Sequence, residues 1–175
     1  MESHAIDLYP DVGSVHMALF KDVKNAQQLR KRLLDQDTTL QCALIDASMV
    51  FNGVHVLLAC NRAIHDWQHD QLKTHNVHSE IVFDFSPTSN IAQTFKRFGI
   101  DDQSQNIVVV KVGGPKADVE SYMRDNIQGD LVPLDQLTQF RDMKKIRKYY
   151  QLGNQADQLD KVVPLISGAM ALKGL

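Results

Sequence analysis

The stretch Ser79–Ile100, SEIVFDFSPTSNIAQTFKRFGI, constrains the fold more than any other part of the chain. Glu80, Val82 and Asp84 alternate with Ile81, Phe83 and Phe85, so the period of two predicts a strand with one strongly apolar face. Ser86-Pro87 closes that strand, because proline has no N–H to offer a ladder. Asn90 then reads as a helix cap, with Gln93 as its capping-box partner. Ile91, Phe95 and Phe98 share a helical face, and Gly99 is placed to stop the helix in the left-handed conformation. A strand–turn–helix unit of this kind needs a sheet to join and a core to cover.

The rest of the chain supplies both. Val12–Phe20 is apolar on both faces and predicts an interior strand, and Ile107–Val112, β-branched at five of six positions, predicts a central one. Between them, Asn25 with Gln28 caps a helix that turns Ala26, Leu29 and Leu33 inward, and Leu40–Ile45 reads as a short strand. Asn52 caps the longest helix, Gly53 to about Leu72. Its inward stripe is Leu57, Cys60, Ile64 and Trp67, with His55, Arg62 and His69 on the polar side. Gly113-Gly114-Pro115 turns into a helix that starts near Ala117 or Asp118, and Leu131–Leu134 suits an edge strand. Leu137, Phe140 and Ile146 mark one or two short helices before a C-terminal helix at about 156–172, which Pro164 and Gly168 weaken. No repeat or linker divides the 175 residues, so one domain spanning 1–175 is expected. The elements lack regular βαβ spacing. The expected class is α+β: a compact two-layer sandwich with a mixed or mainly antiparallel sheet and helices packed on it.

Composition narrows function by exclusion. A net charge of −2 gives no global attraction to nucleic acid or anionic membrane, so any such contact needs a local patch. The N-terminal MESHAIDLYPDVG has no basic region followed by an apolar run, so no secretory leader is expected. No stretch is long and apolar enough to span a bilayer. Cys42 and Cys60 have neither metal nor redox spacing and read as buried thiols of a reducing compartment.

Four constellations are candidates for chemistry or binding. His65-Asp66-Trp67-Gln68-His69 places two histidines at i, i+4, as in zinc hydrolases. Asp66 is one methylene short of the glutamate base, and no third ligand follows at a recognisable spacing, so two histidines on a solvated helix face is the favoured reading. Gly113-Gly114-Pro115-Lys116 lacks the hydroxyl and the length of a phosphate loop. No nucleophile elbow occurs, and nothing in the residues calls for an enzyme, a cofactor or a metal. Arg141, Lys144, Lys145, Arg147 and Lys148, followed by Tyr149 and Tyr150, form the most basic run, read first as a solvated helix face and second as a phosphate- and base-binding surface. The C-terminal helix carries two apolar stripes, one ending in Ile166 and Met170, the other made of Leu165, Ala169 and Leu172. A second stripe at a chain end is buried either in the core or in a partner.

Several motifs together resemble one family. LFKDVKNAQQLR (Leu19–Arg30), NRAIH (Asn61–His65), the opening stretch with its Asn-Ile start and Phe-Gly-Ile stop, and RDMKKIRKYYQL (Arg141–Leu152) are similar to the kinase-binding small subunit of the KEOPS (EKC) complex, the p53-related-protein-kinase-binding protein family. That resemblance implies a compact α/β sandwich and a non-catalytic protein. Its expected partner is the small atypical kinase/ATPase of the complex, which works with the subunit that makes threonylcarbamoyladenosine at position 37 of tRNA. It also implies a cytoplasmic and nuclear location and help in recruiting tRNA. By this analogy the kinase-binding face includes Leu165, Ile166, Ala169 and Met170. RNA contact, assigned from charge and position, falls to Asn61, Arg62, Asn90, Lys96 and Arg97. The alternatives are an autonomous RNA-binding module and, third, a metal-dependent hydrolase using His65 and His69.

Overall fold

The computed structural model describes residues 1–153 and 158–173. Five strands form one antiparallel sheet: β1 (Glu2–Ala5), β2 (Ser14–Lys21), β3 (Ala43–Asp46), β4 (Ile107–Val112) and β5 (Asp130–Val132), in the order β1-β2-β4-β3. Strands β1 and β5 share the outer edge of β2, β1 pairing with Ser14–Met17 and β5 with Leu19–Lys21. The other edge of β2 pairs with β4 from Val15↔Val112 to Phe20↔Ile107. β2 and β4 are central because their side chains are apolar on both faces, and both faces are covered.

The pleat divides those residues between two cores. Val15, Met17 and Leu19 point into the larger one, with Val108 and Val110 of β4. Its helices are α2 (Gly53–Gln68), α3 (Val77–Phe85), α4 (Ile91–Phe98), α6 (Leu137–Phe140), α7 (Met143–Tyr150) and α8 (Leu159–Ala171). Ala18, Phe20, Ile107 and Val109 point the other way, against α1 (Ala26–Leu34) and α5 (Lys116–Asn126). The α+β class and the antiparallel sheet are as expected from the sequence. The layering gains a member: α1 and α5 add a thinner helical layer on the second face. The expected start of the C-terminal helix, at residues 156–157, lies outside the described residues.

The main revision falls on the opening stretch, whose first half is a helix. Asn76 caps α3 and Ser79 completes a capping box, with Asn76 Oδ1 accepting from Ser79 N at 2.9 Å and Ser79 Oγ accepting from Asn76 N at 3.1 Å. Val77, Ile81 and Phe85 then fall at i, i+4 and i+8, a spacing that coexists with the alternation read as a strand. The helix is buried on every side, Glu80 and Asp84 included, so a polar/apolar rule cannot assign its period. Gly99 is extended, with φ −72°, not left-handed; a Cβ there would lie 2.6 Å from the Phe95 carbonyl oxygen, and this close approach is why glycine fits.

Asn25 makes no cap bond to α1; its Nδ2 donates to Asn126 O and its Oδ1 accepts from Gln128 N, tying α1 to the end of α5. In α2 the buried stripe is Val56, Ala59, Cys60, Ala63 and Ile64, so Trp67 turns outward and His55 inward. Ile91 and Leu33, expected in the core, are exposed at helix margins.

Candidate functional site

A charged junction where α2, α3 and the end of α8 meet organises one side of the molecule. Glu80, on the first turns of α3, holds the preceding loop: its Oε2 accepts from Lys73 N at 3.1 Å, Thr74 N at 2.9 Å and Thr74 Oγ1 at 2.7 Å. Asp84 lies one turn further on, and Asp66 reaches in from α2, so three carboxylates lie within 4.8 Å of one another. Three cations answer them. Lys73 Nζ is 3.8 Å from Asp66, Arg62 Nε is 3.7 Å from Asp84, and Lys173 Nζ is 3.8 Å from Asp84. Lys173 is itself buried; its ammonium donates to the Phe83 carbonyl and sits 3.2 Å from the centroid of that ring. Burial pushes the Asp84 carboxyl up to about 7, against the pull of Lys173, and burial brings the Lys173 ammonium down to about 8. With three side-chain cations on three acids, the junction reads as an ion network that joins helices.

That network seats α8. Arg62 Nη1 donates to the Met170 carbonyl at 2.6 Å and Nη2 to that of Lys173 at 3.3 Å, adding charged donors at the C-terminal end of the helix, where a cation is favoured. Proline and glycine inside a helix cost about 3 and 1 kcal/mol relative to alanine. α8 contains Pro164 and Gly168, so it depends on this clamp and on the packing of Val162, Ile166 and Met170.

This docking sorts the four residues expected on a partner face. Ile166 and Met170 are buried in the chain's own core, whereas Leu165 and Ala169 are half-buried. The second apolar flank of α8 is Leu165 and Ala169, which pack in part against the core, with Leu172, 66% exposed. Its neighbour α2 presents a second apolar flank, Val54 (50% exposed) with half-buried Leu57 and Leu58.

The five candidate RNA residues do not form one patch. Arg62 is committed to the clamp, and Asn61 is exposed beside it on α2. Asn90 is occupied as the cap of α4, accepting from Gln93 N at 3.0 Å. Lys96 is exposed on the last turn of α4, and the Arg97 guanidinium stacks 4.5 Å over the ring of Tyr149 from α7. Lys148 Nζ lies 5.7 Å from the same ring. Two basic segments separated by about fifty positions in sequence thus meet on one tyrosine, a junction that the charge runs alone could not reveal. Lys144 and Lys145 extend the surface, on a helix whose cap Asp142 accepts from both of their backbone N–H groups.

Tyr150, the other tyrosine of the run, belongs to the core. The Phe51 N–H donates to His55 Nδ1 at 3.1 Å, so Nε2 of the neutral ring carries the hydrogen; it lies 2.7 Å from Tyr150 Oη, which donates to the Phe85 carbonyl. Burial drives the His55 imidazole down to about 3 and raises the phenol well above its ordinary value. The motif that raised a hydrolase reading separates in space: His65 and His69 are exposed, and Asp66 turns inward to the ion network. Both cysteines are buried free thiols, Cys42 pushed up to about 12 by burial. Among the described residues, no helix is long and apolar enough to cross a membrane.

Residues 20–174 match the family model for the kinase binding protein CGI-121, and the chain belongs to that family. It is 39% identical to the EKC/KEOPS complex subunit cgi121 of Aspergillus fumigatus, over 99% of this chain and 97% of the relative. It is 42% identical to the subunit of the same name from Aspergillus terreus, over 91% of each. The EKC/KEOPS complex subunit TPRKB of Danio rerio is 34% identical, again over 91% of each chain.

Proposed function

We propose that this chain is a non-catalytic subunit that docks on the small atypical kinase/ATPase of the KEOPS/EKC complex and so supports threonylcarbamoyladenosine modification of tRNA. The observation that carries the reading is α8. A helix with internal proline and glycine is held by a buried ion network and leaves a second apolar flank, half-buried Leu165 and Ala169 with exposed Leu172, partly open to solvent. Such a flank fits an apolar partner, with Val54, Leu57 and Leu58 of α2 as a second contact. Leu165→Glu should abolish co-purification with the kinase while the protein stays folded; retained binding would remove this flank from the interface. The wild-type complex should survive moderate salt, because apolar contacts are screened little. The location that goes with this role is cytoplasm and nucleus, checked by imaging the tagged protein in cells.

A second reading, direct contact with tRNA, draws on the stacking of Arg97 on Tyr149, which brings Arg97 and Lys148 onto one ring. Cations around an aromatic ring suit a phosphate backbone and unstacked bases. Titration of the isolated chain with tRNA at rising salt tests it. Lys148→Ala should lower the slope of log affinity against log salt by about 0.7 to 0.9, the share of one neutralised phosphate. Absence of binding at low salt would dispose of autonomous RNA recognition.

A further inference from the structure

The exposed end of α2 carries a cluster that neither reading uses. His65 and His69 lie one turn apart, with ring centroids 4.2 Å apart and planes tilted by 35°. Tyr9, from the turn before β2, covers both, at 6.2 and 6.3 Å from the two rings. A hydrogen bond settles which nitrogen of His69 remains available. His69 Nδ1 lies 2.8 Å from the main-chain oxygen of His65, and a carbonyl only accepts, so Nδ1 carries the hydrogen and Nε2 of the neutral ring carries the lone pair. His65 Nδ1 lies 2.6 Å from Tyr9 Oη, a hydroxyl that can accept as well as donate; in the tautomer in which Nδ1 donates to it, Nε2 of His65 also carries the lone pair.

We propose that His65 and His69 form a surface site for a borderline divalent transition metal such as nickel or zinc, with Tyr9 as a positioning residue. Three features support it. Histidines at i, i+4 on a helix can share one ion through their ring nitrogens. A metal-binding imidazole almost always has its second nitrogen held by a carbonyl or similar group, which fixes the tautomer and the ring orientation. His69 is held in that way by the His65 carbonyl before any ion arrives, and the Tyr9 hydroxyl can hold His65 in the same way by accepting from its Nδ1. Imidazole pairs select zinc, copper and nickel over magnesium and calcium, which prefer oxygen cages. Two protein nitrogens leave the remaining positions to water, so the site is open to a further ligand. It is not a hydrolase centre, because Asp66 faces the interior and the pair has no adjacent base. The proposal stands on the histidine pair alone and does not depend on the kinase or tRNA readings.

The test is calorimetric titration of the full, untagged chain with nickel and with zinc, magnesium serving as control. One equivalent of nickel or zinc should bind, and magnesium should not. His65→Ala and His69→Ala should each weaken nickel binding at least tenfold. Both positions are exposed, and unchanged circular dichroism would show that the variants remain folded. Tyr9→Phe should weaken binding roughly tenfold, as loss of a supporting hydrogen bond does; unchanged affinity there would remove Tyr9 from the site. Failure of nickel and zinc to bind up to millimolar concentration, or affinity unchanged in both histidine variants, would overturn the proposal.

Discussion

α3 and α4 follow one another, are nine and eight residues long, and are both capped by an asparagine, yet they treat charge in opposite ways. The charges of α3 are acids at i, i+4, Glu80 0% and Asp84 1% exposed, bound into a network that ends on Lys173. The charges of α4 are the bases Lys96 and Arg97, on its outer side, meeting α7 at the surface. In α3 every charge has a structural duty, because removing a charge from water is tolerated only when partners replace the water. In α4 Lys96 stays solvated, and Arg97 rests half-buried on the Tyr149 ring. Similar local grammar thus produced a beam in one helix and a surface in the next.

This contrast is open to measurement, beginning with the largest effect. Asp84→Ala leaves the Lys173 ammonium buried without its carboxylate and should destabilise the protein by about 3–5 kcal/mol, read as a fall in the urea midpoint. A variant that unfolds no more easily than wild type would show that α3 is not held by charge. Next comes Tyr150→Phe, which removes the hydroxyl joining His55 to the Phe85 carbonyl. Stranding those buried groups should cost about 1–3 kcal/mol.

Stability against pH sharpens the comparison further. His55 is held at about 3 in the fold, so the unfolded chain takes up its proton first, and stability falls as pH drops from about 6.5 toward 3. Asp84, held up at about 7, works in the other direction. Its contribution is full below about 3.8 and is lost as pH rises through 7. The two slopes oppose each other between about pH 4 and 6.5. Asp84→Asn should therefore make the urea midpoint climb more steeply over that interval than in wild type. The smallest effect belongs to α4: Lys96→Ala should leave the midpoint unchanged, since its side chain is solvated. A loss as large as that of Asp84→Ala would erase the distinction between the two helices.

Legibility in the sequence follows how local the cause is. The caps Asn52 and Asn90 are readable because their bonds, to His55 N and Gln93 N, span three residues. β2 and β4 are readable because both faces of each are apolar in any register. α3 reads as a strand because Glu80 and Asp84 look like solvent-facing positions, and only Lys173, Arg62 and the 73–74 backbone make their burial possible. The candidate sites show the same division. The basic run and the second stripe of α8 are visible as composition, but Tyr149 meeting Arg97, and the core claiming Ile166 and Met170, are not.

The sequence by itself determined the α+β class, the central strands, the caps Asn52 and Asn90, the buried thiols and the family, since these rest on periods and motifs carried within a few consecutive residues. Tertiary structure alone decided that the first half of the Ser79–Ile100 stretch is a helix and not a strand, which stripe of α8 the core claims, and which charges are committed to partners within the fold. Those outcomes depend on pairs such as Asp84 with Lys173 and Arg97 with Tyr149. A buried charge is stable only beside its counter-charge, and residues so far apart along the chain become neighbours only when the chain folds.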